Sequence, residues 1–481
     1  MTSLQLLESL QASSWIASEP GLADAAAQLA DSLAGERATL DRHAARLARP
    51  GLVPPIRAAR HLASLTAARW RWQYTRLPFD LLSGRPLNDT GTYAKETIAA
   101  VLRDHLAGLG APAAEIARIV DGSEGLLPGV VVEEVRKRPV TVRPMSGITV
   151  EAIATRAFGE RVQAIEPDPL VATAVSQVHR AKLADDGRSV LLRVRRPGVD
   201  RALRADARIT ATLVGPLELL LPALRDPHPL GFVELSARQA LEEADLRNEA
   251  LNAIELAMAA ERLGLDGLAI PHPVPGLVAP RAVVFEDLGV TPLAEATIDR
   301  EQALRSYLGI TLESALTSGV FHADLRPEHL VATDAGQLSI VGFGTVGRFS
   351  LDVRRGALKY LTSVFSGDVR GQIDAMEMTG AVPDGVDIEA LAADLAASEA
   401  LQPMTMLTGG EGSVIAGLKE AVNLLLKHHL RPPMEVTLFV RNVFALNAFV
   451  RELGPDITLM SALMPLVQRL PELAAELGVA P

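Results

Sequence analysis

Two segments of the chain concentrate carboxylate and imidazole side chains that could take part in metal-ion or phosphoryl chemistry. They are EEADLRNEALN (242–252) and HADLRPEHL (322–330). The side chains concerned are Glu243, Asp245, Glu249, Asp324 and His329. Carboxylate oxygens are the ligands that Mg²⁺ prefers, and phosphoryl transfer depends on such ions to neutralise the phosphate charge. The alternative for acids on a long helix is a solvated face, and that alternative stays open for Glu243 and Asp245.

Other chemistries are excluded or disfavoured by residue type. The chain contains no cysteine, which excludes disulfides, thiolate metal sites and a cysteine nucleophile. An imidazole suits zinc or copper better than magnesium, and His329 has no second ligand of that type nearby in sequence. The GGEG run at 409–412 indicates a loop, because no strand-to-helix context surrounds it. We therefore expect no metal site.

The hydrophobic pattern predicts the elements that position these residues. Helices are expected over residues 4–48, followed by a Pro-rich break. Two strands joined by a polar turn at 185–188 are predicted after residue 160, the second over 189–194. The Pro-free stretch 234–264 predicts one long helix that starts near Ser236 and ends at a glycine. A further strand is expected within 280–290, followed by a helix, the segment 321–347 and then helices to the end.

The order of these segments resembles the UbiB/AarF/ADCK family of atypical kinase-like proteins. TAVSQVHRAKL (173–183) is similar to the family's Ala-rich loop, and VLLRVRRPGV (190–199) to the strand that carries its ATP-contacting Lys. VGFGTVG (341–347) resembles the metal-binding Asp-Phe-Gly segment. The resemblance runs from about Leu109 to about Asp456. It implies an α+β, two-lobed protein-kinase-like fold with a small β-containing N-lobe, a large helical C-lobe and a helical N-terminal extension.

The same resemblance assigns positions in the site. Asp324 takes the place of the catalytic base, and Glu249 that of the helix Glu that pairs with the strand Lys. The positions expected near a nucleotide are Ala172, Thr173, Ala174, Arg193, Glu243, Asp245, Glu249, Glu286, His329 and Gly342.

Several of these positions depart from the family pattern. Arg193 replaces the Lys, His329 replaces the metal-binding Asn, and Gly342 replaces the metal-binding Asp. The family's Lys-x-Gly-Gln signature corresponds to LGAPAAEIARIV (109–120), where its positions are taken by Glu115, Ala117 and Arg118. Because Gly342 offers no side chain, efficient Mg²⁺-dependent turnover is not expected.

The retained charges allow structural roles instead. Arg193 can form an ion pair with Glu249 that holds the N-lobe together, and its planar guanidinium can fill the space of the phosphates. Asp324 can organise its own loop through hydrogen bonds, with Arg326 or His322 as neighbours. The site then has no resident cofactor, although ATP or ADP is the ligand that the resemblance implies.

The N-terminal region is locally basic in an otherwise acidic chain. The stretch from Arg37 to Arg76 contains nine arginines and one acidic residue. The run RWRWQYTRLPFD (69–80) adds aromatic residues. One interpretation is an anionic membrane surface bound through Arg69, Trp70, Arg71, Trp72 and Arg76. The other is a helical hairpin whose arginines pair with acids elsewhere in the fold.

Composition limits the partners and the compartment. The net charge of -11 and the sequence pI near 5.5 argue against general binding to nucleic acid. The N-terminal residues show no secretory signal, and no apolar stretch reaches the roughly 20 residues of a membrane-spanning helix. The basic residues are nearly all Arg, which is typical of GC-rich bacterial genomes. We expect a bacterial, cytoplasmic protein, peripheral to the membrane if the basic segment meets lipid.

These observations predict an extension (residues 1–105), an N-lobe (106–290) and a C-lobe (291–481). They favour a pseudokinase that acts as a scaffold or regulatory partner of a protein or lipid, and the resemblance implies a link to isoprenoid lipids or quinones. The alternative is a residual ATP-dependent kinase or ATPase with Asp324 as base and a displaced metal ligand from Glu243 or Asp245. A small apolar ligand is a third hypothesis.

Overall fold

The computed structural model describes residues 20–49, 51–76, 90–109, 113–114, 116–117, 120, 129–138, 140, 142–220, 229–325, 329–402, 405, 413–453 and 459–479. These residues form two compact units, the first within 21–250 and 273–287 and the second within 251–272 and from 288 onward. Helices and sheets occur in both units. The predicted α+β class is confirmed. The predicted division into an extension and two lobes stays a prediction.

The helices are α1 (Pro20–Leu47), α2 (Pro55–Arg71), α3 (Thr90–Leu109), α4 (Gly129–Arg136), α5 (Gly147–Phe158), α6 (Val199–Leu220), α7 (Pro229–Glu243), α8 (Leu246–Arg262), α9 (Arg300–Leu308), α10 (Ser314–Thr317), α11 (Leu351–Ser366), α12 (Val369–Met378), α13 (Ile388–Ala397), α14 (Ser413–Lys427), α15 (Met434–Leu453) and α16 (Leu459–Glu476). Short 3₁₀ turns cover Gly159–Arg161, Leu293–Glu295 and Glu399–Leu401, and π-helical turns cover Trp72–Arg76 and Gly309–Glu313.

The strands are β1 (Val162–Gln163), β2 (Val171–Ala172), β3 (Ser176–Leu183), β4 (Ser189–Arg195), β5 (Leu268–Ala269), β6 (Pro273–Ala279), β7 (Ala282–Glu286), β8 (Val290–Pro292), β9 (Val320–His322), β10 (Leu330–Thr333), β11 (Leu338–Ile340) and β12 (Val346–Arg348).

The first unit contains an antiparallel sheet in the order β1-β3-β4-β7-β6, with β2 paired to β3. The predicted strand pair is present as β3 and β4, joined by a polar turn that closes at Gly187, whose φ of 70° lies in the left-handed region that favours glycine. One face of the sheet packs on α5, where Val150, Ala154 and Phe158 meet Leu192 and other buried strand residues. This sheet fixes the position of Arg193 on its central strand.

The expectation of one long helix over 234–264 is wrong, because α7 ends at Glu243 and α8 begins at Leu246. Contacts with other elements stabilise the break. The carbonyl of Ala244 accepts a hydrogen bond from Arg195, and the amide of Leu246 donates to the carbonyl of Pro280 at 3.3 Å. The Asp245 carboxylate then caps the new helix by accepting from the amide of Arg247 at 3.1 Å. Asp245 is therefore a helix-capping residue, not part of a continuous solvated face.

The second unit combines short strands with a helical bundle. Its four-stranded sheet has the order β5-β11-β10-β8, in which only β5 and β11 run parallel, and β9 pairs separately with β12. Helices α11 to α16 pack around apolar clusters that include Leu358, Leu470 and Leu473 on one side and Ile373, Leu391 and Leu424 on another. Asp324 follows β9, and Gly342 lies between β11 and β12.

The N-terminal prediction of helices followed by a Pro-rich break agrees with α1, as far as the chain is described there. Residues 4–19 of that prediction lie outside the described residues. Within the described part of the chain, no helix has the length and apolar character needed to cross a bilayer.

Candidate functional site

Arg193 is held in an ion pair within the first unit. It lies on β4, opposite Val178 of β3 and Val283 of β7. Its Nη1 donates to Oε1 of Glu249, and its Nε donates to the hydroxyl oxygen of Ser176 at 2.9 Å. The two charged side chains are only 13% and 4% exposed. The guanidinium therefore has carboxylate and hydroxyl partners inside the protein, and a phosphate would have to compete with them.

The loop from Ala172 to Ala174 satisfies its own main-chain groups. The Thr173 hydroxyl accepts from the amides of Val175 and Ser176 at 3.2 and 3.0 Å, and the Thr173 amide donates to the carbonyl of Ser176 at 2.8 Å. Phosphate-binding loops depend on main-chain amides that point at the ligand. Here two of the amides that follow Ala174 are bonded to a side chain of the same loop, so they are not free to bind phosphate.

The acids predicted near a nucleotide differ in their surroundings. Asp245 is bonded to the guanidinium of Arg247, with Nη2 to Oδ2 at 2.5 Å, and the pKa of Arg247 is raised, first by this hydrogen bond. Glu243 ends α7 and Glu286 ends β7, and both are half-buried. A metal ligand from Asp245 would have to break the ion pair and the helix cap together.

In the second unit, Asp324 follows β9 and is held by helix α15. Its Oδ1 lies 3.3 Å from Nη2 of Arg441, which also donates to the carbonyl of Ala323 at 2.7 Å. Asn442, the next residue, donates from Nδ2 to the carbonyl of His322 at 2.6 Å. Asp324 is 7% exposed and Arg441 is 4% exposed. The predicted base therefore has a buried cationic partner that stabilises its carboxylate form.

His322 is a buried neutral imidazole. Its Nδ1 accepts from the amide of Asp324 at 3.3 Å, and its Nε2 donates to the carbonyl of Gly342 at 2.7 Å. The pKa of His322 is lowered to about 4, mainly by burial; the hydrogen bond to the carbonyl of Gly342 opposes this shift, and the positive charge of Arg441 adds to it. His322 thus joins the Asp324 loop to the segment that contains Gly342.

Gly342 and His329 occupy the two positions at which the family pattern has metal ligands. Gly342 is buried, with a φ of 149° that lies in the region favouring glycine. His329 donates from Nδ1 to the carbonyl of Asp324 at 3.1 Å, and its own carbonyl accepts from the amide of Val341 at 2.9 Å. Neither residue supplies a carboxylate or amide oxygen from its side chain, which are the ligands that Mg²⁺ takes.

These residues do not fit a Mg²⁺–nucleotide complex. Among the described residues, no group of three or more His, Asp or Glu side chains is arranged to hold a metal ion. Arg193 and Asp324, the charged groups that the resemblance places on the nucleotide and on the reacting hydroxyl, are each bonded within their own unit. We derive no step of phosphoryl transfer from this arrangement.

Sequence reasoning missed the residues that hold the site in place. Besides Arg441 and Asn442, Asn252 donates from Nδ2 to the carbonyl of Phe343 at 2.7 Å, and Arg348 bridges Asn252 and Glu255 at 2.5 and 2.6 Å. The available signal was the polar pair Arg441–Asn442 within the apolar helix sequence TLFVRNVFALNAF. Buried polar residues of this kind must find hydrogen-bond partners.

The basic N-terminal segment divides into a buried and an exposed part. Arg57 and His61 of α2 both bond to the buried Asp206, with His61 Nε2 at 2.9 Å from Oδ1. Burial would raise the pKa of Asp206, but these hydrogen bonds outweigh it and lower the pKa. Arg71 lies 3.5 Å from Asp104. The alternative in which arginines pair with acids of the fold therefore holds for part of the segment.

The exposed part of the segment is aromatic. Trp70 and Tyr74 are 59% and 60% exposed and their rings lie 4.8 Å apart, next to the exposed Arg69. Trp72 is half-buried, so it does not share their surface. The side chain of Arg76, Glu115 and Arg118 of the extension, and Arg326 beside Asp324 lie outside the residues whose side chains are described.

Comparison with known proteins agrees with the motif order. Residues 141–376 match the ABC1 atypical kinase-like domain. The chain is 22% identical to an uncharacterized aarF domain-containing protein kinase of the Arabidopsis thaliana chloroplast, over 75% of this chain and 72% of that one. It is 23% identical to a probable protein kinase UbiB of Vibrio atlanticus, over 76% of this chain and 69% of that one.

Among solved structures, a Mycobacterium tuberculosis protein in complex with erythromycin is similar, with a TM-score of 0.48 and 20% sequence identity. The similarity covers 79% of this chain and 97% of that one.

Proposed function

Because the chain belongs to the UbiB/AarF/ADCK family of atypical kinase-like proteins, we propose that it is a pseudokinase: a family member that does not transfer phosphoryl groups and acts as a scaffold or regulatory partner. The family resemblance suggests isoprenoid-lipid or quinone metabolism as its setting. Fold alone does not fix function, so the proposal depends on the chemistry of the site.

The observation that carries the proposal is the state of Gly342. This position supplies no carboxylate, its φ of 149° favours glycine, and its carbonyl is bonded to the buried His322. A displaced side chain could return by changing its rotamer, whereas an absent side chain cannot. The loss of one preorganised charge-stabilising group commonly lowers the rate about 10²- to 10³-fold, and His329 removes a second.

The remaining charges support the same conclusion. The guanidinium of Arg193 is paired with Glu249, and the carboxylate of Asp324 is close to Arg441. Both ion pairs are largely buried, and buried pairs resist disruption because each released charge would be left without its partner. Because Asp324 is retained, one alternative needs a test. In it, the protein is a residual ATPase or kinase that takes a metal ligand from another acid.

A single-turnover ATP hydrolysis assay with Mg²⁺ distinguishes the two functions. We expect the full chain and its Asp324→Asn variant to release phosphate at the same background rate. If Asp324 were a working base, the substitution would lower the rate by about 10²- to 10⁴-fold. Such a loss in Asp324→Asn, with the folded state verified by circular dichroism, would establish the enzyme alternative.

We further propose that the exposed ring pair at the end of α2, Trp70 on the helix and Tyr74 on the π-helical turn that follows, contacts anionic lipid. Trp70 and Tyr74 offer amphipathic rings to the headgroup region, and Arg69 adds a positive charge beside them. Basic residues near an anionic membrane surface contribute about 1 kcal/mol each, and the attraction falls with ionic strength. The positive charge at this surface is therefore local, in a chain whose net charge is -11.

Vesicle flotation tests the lipid contact. The double variant Trp70→Ala/Tyr74→Ala and the single variant Arg69→Gln should both bind phosphatidylserine-containing vesicles more weakly than the unaltered chain. Ile148→Ala is the matched control, because Ile148 is 81% exposed on α5, away from the ring pair. Equal flotation of all four proteins, or binding that does not weaken with salt, would refute the contact.

A further inference from the structure

The helical part of the second unit contains a partly open apolar cavity that the site described above does not use. The cavity has a volume of about 240 Å³ and lies among helices α11 to α16. Its walls include Tyr360, Phe365, Phe439, Ala421 and Leu466. None of the lining side chains is charged, and apart from the hydroxyls of Tyr360 and Thr379 all are apolar.

A void of this size is unusual inside a packed helical bundle. Protein interiors are close-packed, with few voids larger than a water molecule. An engineered apolar cavity of about 150 Å³ in another protein stays dry and binds benzene or xenon, because water finds no polar partners there. The present cavity is larger and nearly as apolar, so its walls offer water few hydrogen-bond partners and offer an apolar molecule extensive dispersion contacts.

The lining also decides the class of ligand. A nucleotide or a sugar would lose its hydrogen bonds with water and find almost no partners in exchange. An extended peptide segment would bury its main-chain amides and carbonyls without partners, for the same reason. A hydrocarbon chain has no such groups, and burial of each methylene is favourable.

We propose that this cavity binds the hydrocarbon chain of a lipid, either prenyl or acyl. The choice of a lipid rests on the isoprenoid-lipid link in the proposed function, whereas the apolar nature of the ligand rests on the cavity alone. The chain inserts between α11, α14 and α15, and the headgroup stays outside the apolar walls. Through this site, lipid binding would regulate a pseudokinase without a bound nucleotide.

The test uses the full chain and two matched variants. Ala421→Phe places a ring in the cavity, whereas Ala416→Phe puts the same ring on the exposed side of the same helix, α14. Geranylgeraniol and palmitate serve as the prenyl and acyl probes, with affinity measured by isothermal titration calorimetry and checked by thermal shift. If Ala421→Phe does not fold, Ala357→Phe fills the cavity from α11 instead.

We expect at least one probe to bind the unaltered chain and Ala416→Phe equally. A ring that displaces two or three methylenes should weaken binding to the filled variant by about 15- to 60-fold. Comparison of the two affinities shows whether the cavity prefers a prenyl or an acyl chain. The proposal is overturned if neither probe binds, or if the filled variant binds as tightly as the control. A Mg²⁺–ATP titration of the same samples shows independently whether the pseudokinase proposal fails.

Discussion

The imidazole of His322 donates from Nε2 to the carbonyl oxygen of Gly342 at 2.7 Å, inside a part of the second unit where both residues are buried. The hydrogen bond requires a proton on Nε2, and Nδ1 accepts from the amide of Asp324, so the ring is neutral. The main chain at Gly342 has a φ of 149°. The segment that would present a metal-binding acid is instead fixed in a conformation that favours glycine.

Substitution of Gly342 should therefore strain the main chain. We expect Gly342→Ala to lower the free energy of unfolding by about 1–3 kcal/mol, the range for a residue forced into a sparsely populated backbone region. Gly342→Asp should lose at least as much, because it adds a buried carboxylate. Urea unfolding measures both changes. A Gly342→Ala variant as stable as the unaltered chain would show that φ here is not constrained.

This strain bears on attempts to restore activity. The triple variant Gly342→Asp/His329→Asn/Arg193→Lys returns the three family side chains, but the new carboxylate must be accommodated beside the His322 hydrogen bond. We expect little or no gain in Mg²⁺–ATP affinity from it.

Stability should decrease in mild acid because of two buried histidines. Burial lowers the pKa of His322 to about 4, and it also lowers the pKa of His105 to about 4, with a further contribution from the neighbouring His61. In the unfolded chain these imidazoles take up protons as the pH falls below 6.5, whereas the folded forms stay neutral until about 4. The unfolded state then binds more protons, so the free energy of unfolding falls across this window.

The expected loss for a fully buried histidine is about 3 kcal/mol between the two pKa values. His322→Gln retains a side-chain N–H donor but cannot titrate, so it should remove its share of the pH dependence. His105→Gln should likewise remove the share of His105. Urea unfolding at pH 7, 5.5 and 4.5 measures the slopes, and an unchanged slope in His322→Gln would contradict the assignment.

The ion pair between Arg193 and Glu249 should be costly to break but replaceable as a unit. Removing one partner of a buried pair costs about 3–5 kcal/mol, because the other charge remains buried. We therefore expect Glu249→Leu to be strongly destabilising and the double variant Arg193→Met/Glu249→Leu to recover much of the loss. A double-mutant cycle by urea unfolding measures the coupling. Additive losses would mean that the two side chains do not depend on each other.

Local sequence patterns predicted the sheet better than the helices. The β3–β4 pair follows from apolar and β-branched residues on either side of a polar turn, which are signals contained within a few residues. The break between α7 and α8 has no such signal, since neither Pro nor Gly marks it. It is held by Arg195 and by Pro280, which are distant in sequence, so tertiary contacts outweigh the local preference for a continuous helix.

The site was predictable in its positions and in the pairing of Arg193 with Glu249, but not in the partners of Asp324. The order of motifs singled out Asp324, Arg193 and Gly342, and their chemistry could be weighed from residue type alone. Arg441 and Asn442 could not be connected with the Asp324 loop, because they lie more than a hundred residues away and their helix has an ordinary apolar pattern. A contact of this kind is set by packing, which the sequence spacing does not show.

The most direct test of the central claim is a thermal-shift titration of the full chain with ATP and ADP, with and without Mg²⁺. A nucleotide at 100 times its dissociation constant would stabilise the folded state by about 2.7 kcal/mol and raise the Tm measurably. We predict no Mg²⁺-dependent shift, because Gly342 and His329 supply no hard oxygen ligand. A Tm that rises with ATP only when Mg²⁺ is present would contradict the pseudokinase assignment.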